Sequence, residues 1–173
     1  LLTFDSNAST PAAGDWSGFI LNGTTVSTDG NGAYTGGTIF EHCVVQHSTD
    51  GIRFTDSAAA YIDSCEFRLN TRGITVESCV GATIKDSIFR ENGWGISMQY
   101  VQSSSRYFRN SKIIGNQVYQ NTAGGLEGGS YSFTADNNLY QDNIIRNNSG
   151  WGMYFRASQV RSPETDNNII TQN

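Results

Sequence analysis

The chain has 173 residues, of which 16% are charged and 12% aromatic, with 19 Gly, 2 Pro and a net charge of −5. The aromatic and aliphatic content excludes a disordered chain. The acid excess excludes a phosphate-tracking surface, because nucleic-acid binding draws on clustered Lys and Arg, and no apolar run approaches the roughly 20 residues of a membrane-spanning helix.

Residues 1–37 read as an opening coil whose long loop runs from Asn22 to Gly37. The stretch TDGNG at 28–32 has the composition of a Ca²⁺-holding loop, yet it fits neither the EF-hand spacing nor the Gly-rich nonapeptide repeat. From residue 38 one unit recurs. With Cys43, Cys65, Ser87, Asn116, Asn143 and Asn168 as a zero column, the intervals are 22, 22, 29, 27 and 25 residues. Two places on stand Val45, Phe67, Phe89, Val118, Ile145 and Ile170; three places before stand Phe40, Ile62, Ile84, Ile113 and Tyr140. Five places after come Ser48, Asn70, Asn92, Asn121, Asn148 and Asn173. A Gly followed by an apolar residue comes next, from Gly51-Ile52 to Gly152-Met153.

A fixed unit of this length, made of short alternating runs and Gly or Asn turns, signals a solenoid that buries a shared interior. Apolar residues recur at every second place inside the runs, which excludes helical repeats. A β-helix remains, each coil giving three short strands that pair in parallel with their equivalents about 4.8 Å away. In that setting the Asn columns predict amide ladders, with the Asn itself in the left-handed backbone region.

The IxxNxVxxN…GI unit resembles the right-handed parallel β-helix repeat of pectate-lyase-like proteins over about residues 38–173. The opening STPAAGDWSGFIL is similar to the first coil of secreted bacterial surface proteins that carry this repeat. The expected fold is all-β: a right-handed single-stranded parallel β-helix of about six to seven coils, forming a single domain over 1–173 within a longer protein. Flanking domains or another chain are expected to cover the open coil ends. By resemblance, the Asn ladder lies between the second and third strands, and a substrate groove follows the first strand and the connection before it.

Connection lengths agree with a groove. They are long at 22–37, short at 56–60 and 78–82, then long again at 99–111, 128–137 and 157–167, giving a floor between walls. Alternation points Glu41, Asp63 and Lys85 outward on neighbouring coils. Glu41 and Asp63 side by side suit Ca²⁺ ligation or acid–base work on a glycosidic bond. Lys85 suits pairing with a uronate or, with a lowered pKa, proton abstraction. The first wall adds Tyr100, Arg106, Tyr107 and Arg109 as ligand-binding candidates, and the second adds Glu127, Tyr131 and Asp136. Against this stands a solvated cross-strand ladder in which Lys85 offsets Asp63. Arg68, Arg90 and Arg146, with Tyr119 between them, are expected on the outer face of the second sheet, screened by Glu66 and Glu91.

Cys43 and Cys65 share a column and are expected as stacked inward thiols, because in-register parallel neighbours direct their side chains the same way. His42 and His47 suit turn or surface roles, and Trp94 and Trp151 suit covering the edge of the core. Three functions fit. The first is a secreted or cell-surface module binding polysaccharide, acidic glycans among them, or another surface ligand. The second is a polysaccharide lyase, hydrolase or epimerase, and the third a structural spacer. No cofactor is required, and Ca²⁺ is the one ion the carboxylates suit.

Overall fold

The computed structural model describes residues 1–98, 107–127, 134–155, 159–161 and 164–173, the backbone alone for 159–161. Strands of three to six residues, each ended by a sharp corner, fold the chain into stacked coils. Sheet I holds Ile39–Glu41, Tyr61–Asp63, Thr83–Lys85, Lys112–Ile114, Leu139–Gln141 and Glu164–Asp166. Sheet II runs from Leu2–Phe4 through Cys43–Gln46, Glu66–Arg68, Ile88–Arg90, Gln117–Tyr119 and Ile144–Arg146 to Ile169–Thr171. Sheet III holds Phe19–Asn22, Asp50–Thr55, Arg72–Val76, Trp94–Ser97, Gly124–Glu127 and Trp151–Tyr154. All neighbours within these sheets are parallel and in register: Phe4, Val45, Phe67, Phe89, Val118, Ile145 and Ile170 form one continuous row.

A fourth sheet departs from the three-strand expectation. Sheet IV stacks Ser78–Val80, Tyr107–Arg109, Thr134–Asp136 and Gln159–Arg161. Each of its strands lies inside a segment the sequence presented as a connection, so the later coils have four sides. The first regular coil, from residue 38, reaches this face through an isolated bridge between Ala58 and Cys79.

The interior follows from alternation. Phe67 and Phe89 stack with centroids 5.0 Å apart and planes 3° off parallel, and Ile62, Ile84 and Ile113 are fully buried one sheet away. Cys43, Cys65 and Cys79 are free, buried thiols, and burial pushes the Cys65 and Cys79 thiols up to about 12, so they behave as small apolar residues. In the Phe40 row Tyr140 lies between Ile113 and Thr165, with its hydroxyl buried and unpaired among the described residues. Tyr140→Phe removes an unsatisfied group without changing shape, and is expected to raise stability by about 1 kcal/mol in urea unfolding.

Amide ladders hold the corners. On the corner between sheets II and III, the Nδ2 of Asn92 donates to the Phe67 carbonyl at 3.0 Å and to Asn121 Oδ1 at 3.1 Å, while its backbone N–H also meets Asn121 Oδ1. The same pattern joins Asn70 to Asn92 and Asn121 to Asn148. A second ladder, Ser87–Asn116–Asn143–Asn168, binds the corner between sheets I and II. Ser111 and Asn138 begin a third between sheets IV and I. The expectation that the ladder Asn is itself left-handed is corrected: the residue before it turns instead. Leu69, Glu91, Gln120 and Asn147 have φ of 55°, 55°, 57° and 56°. This leaves the Asn backbone N–H pointing along the stack, where the next amide accepts it. Leu69 is an uncomfortable occupant of such a position and is 38% exposed. Leu69→Asn is expected to gain about 1 kcal/mol, read as a higher urea midpoint at unchanged slope.

Candidate binding groove

Sheet I carries the candidate site on its outer face. Its strands place Glu41, Asp63 and Lys85 in one row as direct partners. Asp63 is engaged through both oxygens: Oδ1 accepts from Ser64 Oγ at 2.8 Å, and Oδ2 lies 3.2 Å from Lys85 Nζ. Lys85 also reaches Asp86 Oδ2 at 3.2 Å, because the left-handed corner at Asp86, φ 48°, turns that carboxylate back toward the sheet. Burial disfavours the ammonium, but hydrogen bonds and charge from Asp63 and Asp86 outweigh it and lift the Lys85 pKa above the ordinary lysine range. Proton abstraction needs the opposite shift. Lys85 is therefore a held cation, and the ladder with Asp63 is present.

The hairpin of Val26–Thr28 and Tyr34–Gly37 forms a wall over this face. Tyr34 tilts against Tyr61 at 5.7 Å, which explains why Tyr61 is buried although it projects from the outer side of the sheet. At the tip, Asp29 Oδ1 accepts from the backbone N–H groups of Asn31 and Ala33, both at 2.9 Å. The TDGNG carboxylate thus shapes its own turn. Between hairpin and sheet lies a groove of about 320 Å³ lined by Asn31, Tyr61, Thr83, Lys85, Asp86 and Lys112, among others. A second groove of about 230 Å³ follows along the corner at Asn110, Asn137, Leu139 and Glu164, and Lys112 lines it too.

The remaining candidates fall elsewhere. Tyr107 and Arg109 stand on sheet IV rather than on a loop wall. The Tyr107 hydroxyl lies 2.5 Å from Ser57 Oγ, and the Arg109 guanidinium packs 4.8 Å over the Tyr107 ring. Asp136 is the strand partner of Arg109. Glu127 belongs to sheet III, where its Oε2 accepts from Ser97 Oγ at 3.1 Å. Tyr100, Arg106 and Tyr131 lie outside the described residues. Glu41 and Asp63 are neighbours, but no three His, Cys, Asp or Glu converge to hold a metal among the described residues.

A model of the right handed beta helix region matches residues 17–173. The chain is a right-handed β-helix protein. No curated protein and no solved structure matches it.

Two further faces of this β-helix bear on the choice of site. On sheet II, Arg68 Nε donates to Gln46 Oε1 at 2.7 Å, and Arg90 meets Glu66 at 2.7 Å and Glu91 at 2.6 Å. Arg146 lies 4.9 Å over the Tyr119 ring. This row is largely compensated within itself, as its neighbours in sequence suggest. On sheet III, Trp94 covers Gly124, where an added Cβ would fall 2.3 Å from the indole. Trp151 does not cover the core edge: it is 52% exposed and stacks on Tyr154 at 4.4 Å.

The groove residues that sequence reasoning missed are Tyr61, Thr83 and Lys112. They form a row one place before the inward Phe40 column, just as Glu41, Asp63 and Lys85 stand one place after it. A strand has two outward positions flanking each inward one, so the signal was available in the alignment of the repeats.

Proposed function

We propose that this β-helix is a secreted or cell-surface module that binds polysaccharide in the groove on sheet I. The observation that carries the reading is the hairpin wall standing over a regularly stacked sheet face, with charged and amide side chains lining the space between. Parallel coils repeat every ~4.8 Å along the solenoid axis, so a linear polymer lying along that axis meets an outward-facing pair of strand positions at each step. The side chains are preformed on rigid strands, which limits the ordering cost of binding.

An enzyme reading rests on the adjacent Glu41 and Asp63. It is weakened by the paired state of Asp63 and by the raised pKa of Lys85, since acid–base catalysis needs groups poised near the working pH. Affinity electrophoresis through gels containing xylan, galactomannan, alginate or pectate, with and without Ca²⁺, tests the proposal. Retardation by at least one polymer without new reducing or unsaturated ends is expected. Product that disappears in Glu41→Gln or Asp63→Asn would give the site to an enzyme instead, and unretarded migration in all gels would remove the binding function.

A further inference from the structure

We infer that the ligand of this groove is an extended neutral glycan of about four sugars lying parallel to the solenoid axis, an inference that rests on the polysaccharide reading above. The two grooves on sheet I meet at Lys112, which lines both. Together they pass along one outer row, Tyr61, Thr83, Lys112, Leu139 and Glu164, whose members are consecutive strand partners. Four coil steps at ~4.8 Å make a trough of about 19 Å. An extended pyranose chain advances by close to one coil spacing per sugar, so the trough seats about four.

Charge decides the class of sugar. Glu41, Asp63, Asp86, Asp142, Glu164 and Asp166 stand on sheet I or at its corner with sheet II, against Lys85 and Lys112. Lys85 is already shared between Asp63 and Asp86. Inside the two grooves Asp86 and Glu164 are matched by Lys85 and Lys112. The excess carboxylates, Glu41, Asp63, Asp142 and Asp166, stand on the same face within a Debye length, so a uronate or sulfate chain lying along it meets net negative charge, which disfavours it. Hydroxyl groups meet the opposite situation. Carboxylates accept from them, and the amides of Asn31, Asn110 and Asn137, together with Thr83 and the Lys112 ammonium, supply donors. Ile114 and Leu139 offer half-buried apolar contact in the floor of the trough, suited to the C–H face of a pyranose.

Isothermal titration at low ionic strength separates the alternatives, using cello- and manno-oligosaccharides of two to six residues and oligogalacturonates of the same lengths. The dissociation constant for at least one neutral series is expected to fall with each added sugar up to the tetrasaccharide and to change less than about twofold beyond it. Oligogalacturonates are expected to bind at least tenfold more weakly at equal length. Lys112→Ala, at an exposed position and therefore expected to keep the melting temperature of the parent, should weaken the tetrasaccharide by about tenfold, the scale of a lost charged hydrogen bond. A plateau at the disaccharide, oligogalacturonate binding as tight as the neutral series, or a silent Lys112→Ala overturns the inference while leaving polysaccharide binding intact. Absence of binding by every probe overturns both.

Discussion

Asn121→Leu is expected to lower stability by about 3–5 kcal/mol, among the largest effects of any single side chain. Leucine keeps the γ-branching of Asn in a larger side chain, makes none of its bonds and overpacks the corner. Asn121 Nδ2 donates to the Phe89 carbonyl at 3.1 Å and to Asn148 Oδ1 at 2.8 Å, and its Oδ1 accepts from both the backbone N–H and the Nδ2 of Asn92 at 3.1 Å. Asn121 is fully buried, so no water replaces these partners. Asn92 Nδ2 retains the Phe67 carbonyl and Asn148 Oδ1 retains the Asn121 backbone N–H. The Asn92 N–H and the Phe89 carbonyl lose the amide, at about 1–3 kcal/mol for each unsatisfied buried group. Urea unfolding at constant slope reads the change. Gln117→Ala, on the exposed outer face of the same coil, should move the midpoint by less than about 0.5 kcal/mol. An Asn121→Leu loss no larger than that of Gln117→Ala would mean that the ladder is not what holds the coils at this corner.

Gly95→Ala is expected to cost about 3 kcal/mol for a different reason. Its backbone does not require glycine; the space around it does. An added Cβ would lie 2.5 Å from the Gly125 carbonyl oxygen and 2.7 Å from Val118 Cγ1. The carbonyl belongs to the next coil, fixed at the strand spacing by its own hydrogen bonds, and Val118 is fully buried, so neither yields without opening the stack. Gly51, Gly73, Gly125 and Gly152 meet similar walls, which is why a glycine precedes each member of the Ile52, Ile74, Ile96, Leu126 and Met153 row of sheet III. Gly36→Ala provides the contrast, since nothing lies within 4 Å of its added Cβ. Calorimetry on the two variants should show a large drop in melting temperature for Gly95→Ala and almost none for Gly36→Ala. Equal melting temperatures would mean that successive coils are not packed at this distance.

The parts of the fold legible in the sequence are those in which stacking sets like residue over like. The Phe67 row, the Ile62 row and the Asn70 column could be read by alignment because each position meets its own equivalent above and below. The left-handed corners could not: Leu69, Glu91, Gln120 and Asn147 share a backbone angle but project to solvent, so side-chain chemistry gives them no common signature. Sheet IV was hidden because Tyr107–Arg109 and Thr134–Asp136 lie in segments of unequal length, and the first coil has no matching strand. The Ser111–Asn138 ladder was within reach, since both stand five places before the zero column, the same interval that separates it from Asn121 and Asn148.

At the groove, the row of Glu41, Asp63 and Lys85 followed from alternation alone. The pairing of Lys85 with Asp63 was one of the readings of that row; its second partner, Asp86, was not legible, because it reaches Lys85 only through the left-handed corner. The wall was legible as a long loop between Asn22 and Gly37, but its return over Tyr61 depends on the Tyr34 contact, which no local pattern encodes. The aromatic and Arg candidates at 107 and 109 were misplaced for the same reason as sheet IV.

Proton–proton Overhauser contacts between backbone amides of consecutive coils test the stacked register on which the groove depends. Contacts should link Phe67 to Phe89, Phe89 to Val118 and Val118 to Ile145 in sheet II, and Thr83 to Lys112 and Lys112 to Leu139 in sheet I. Close Hα–Hα contacts of antiparallel pairing, or links displaced by one residue so that Lys112 turns inward, would contradict the solenoid and remove the groove with it.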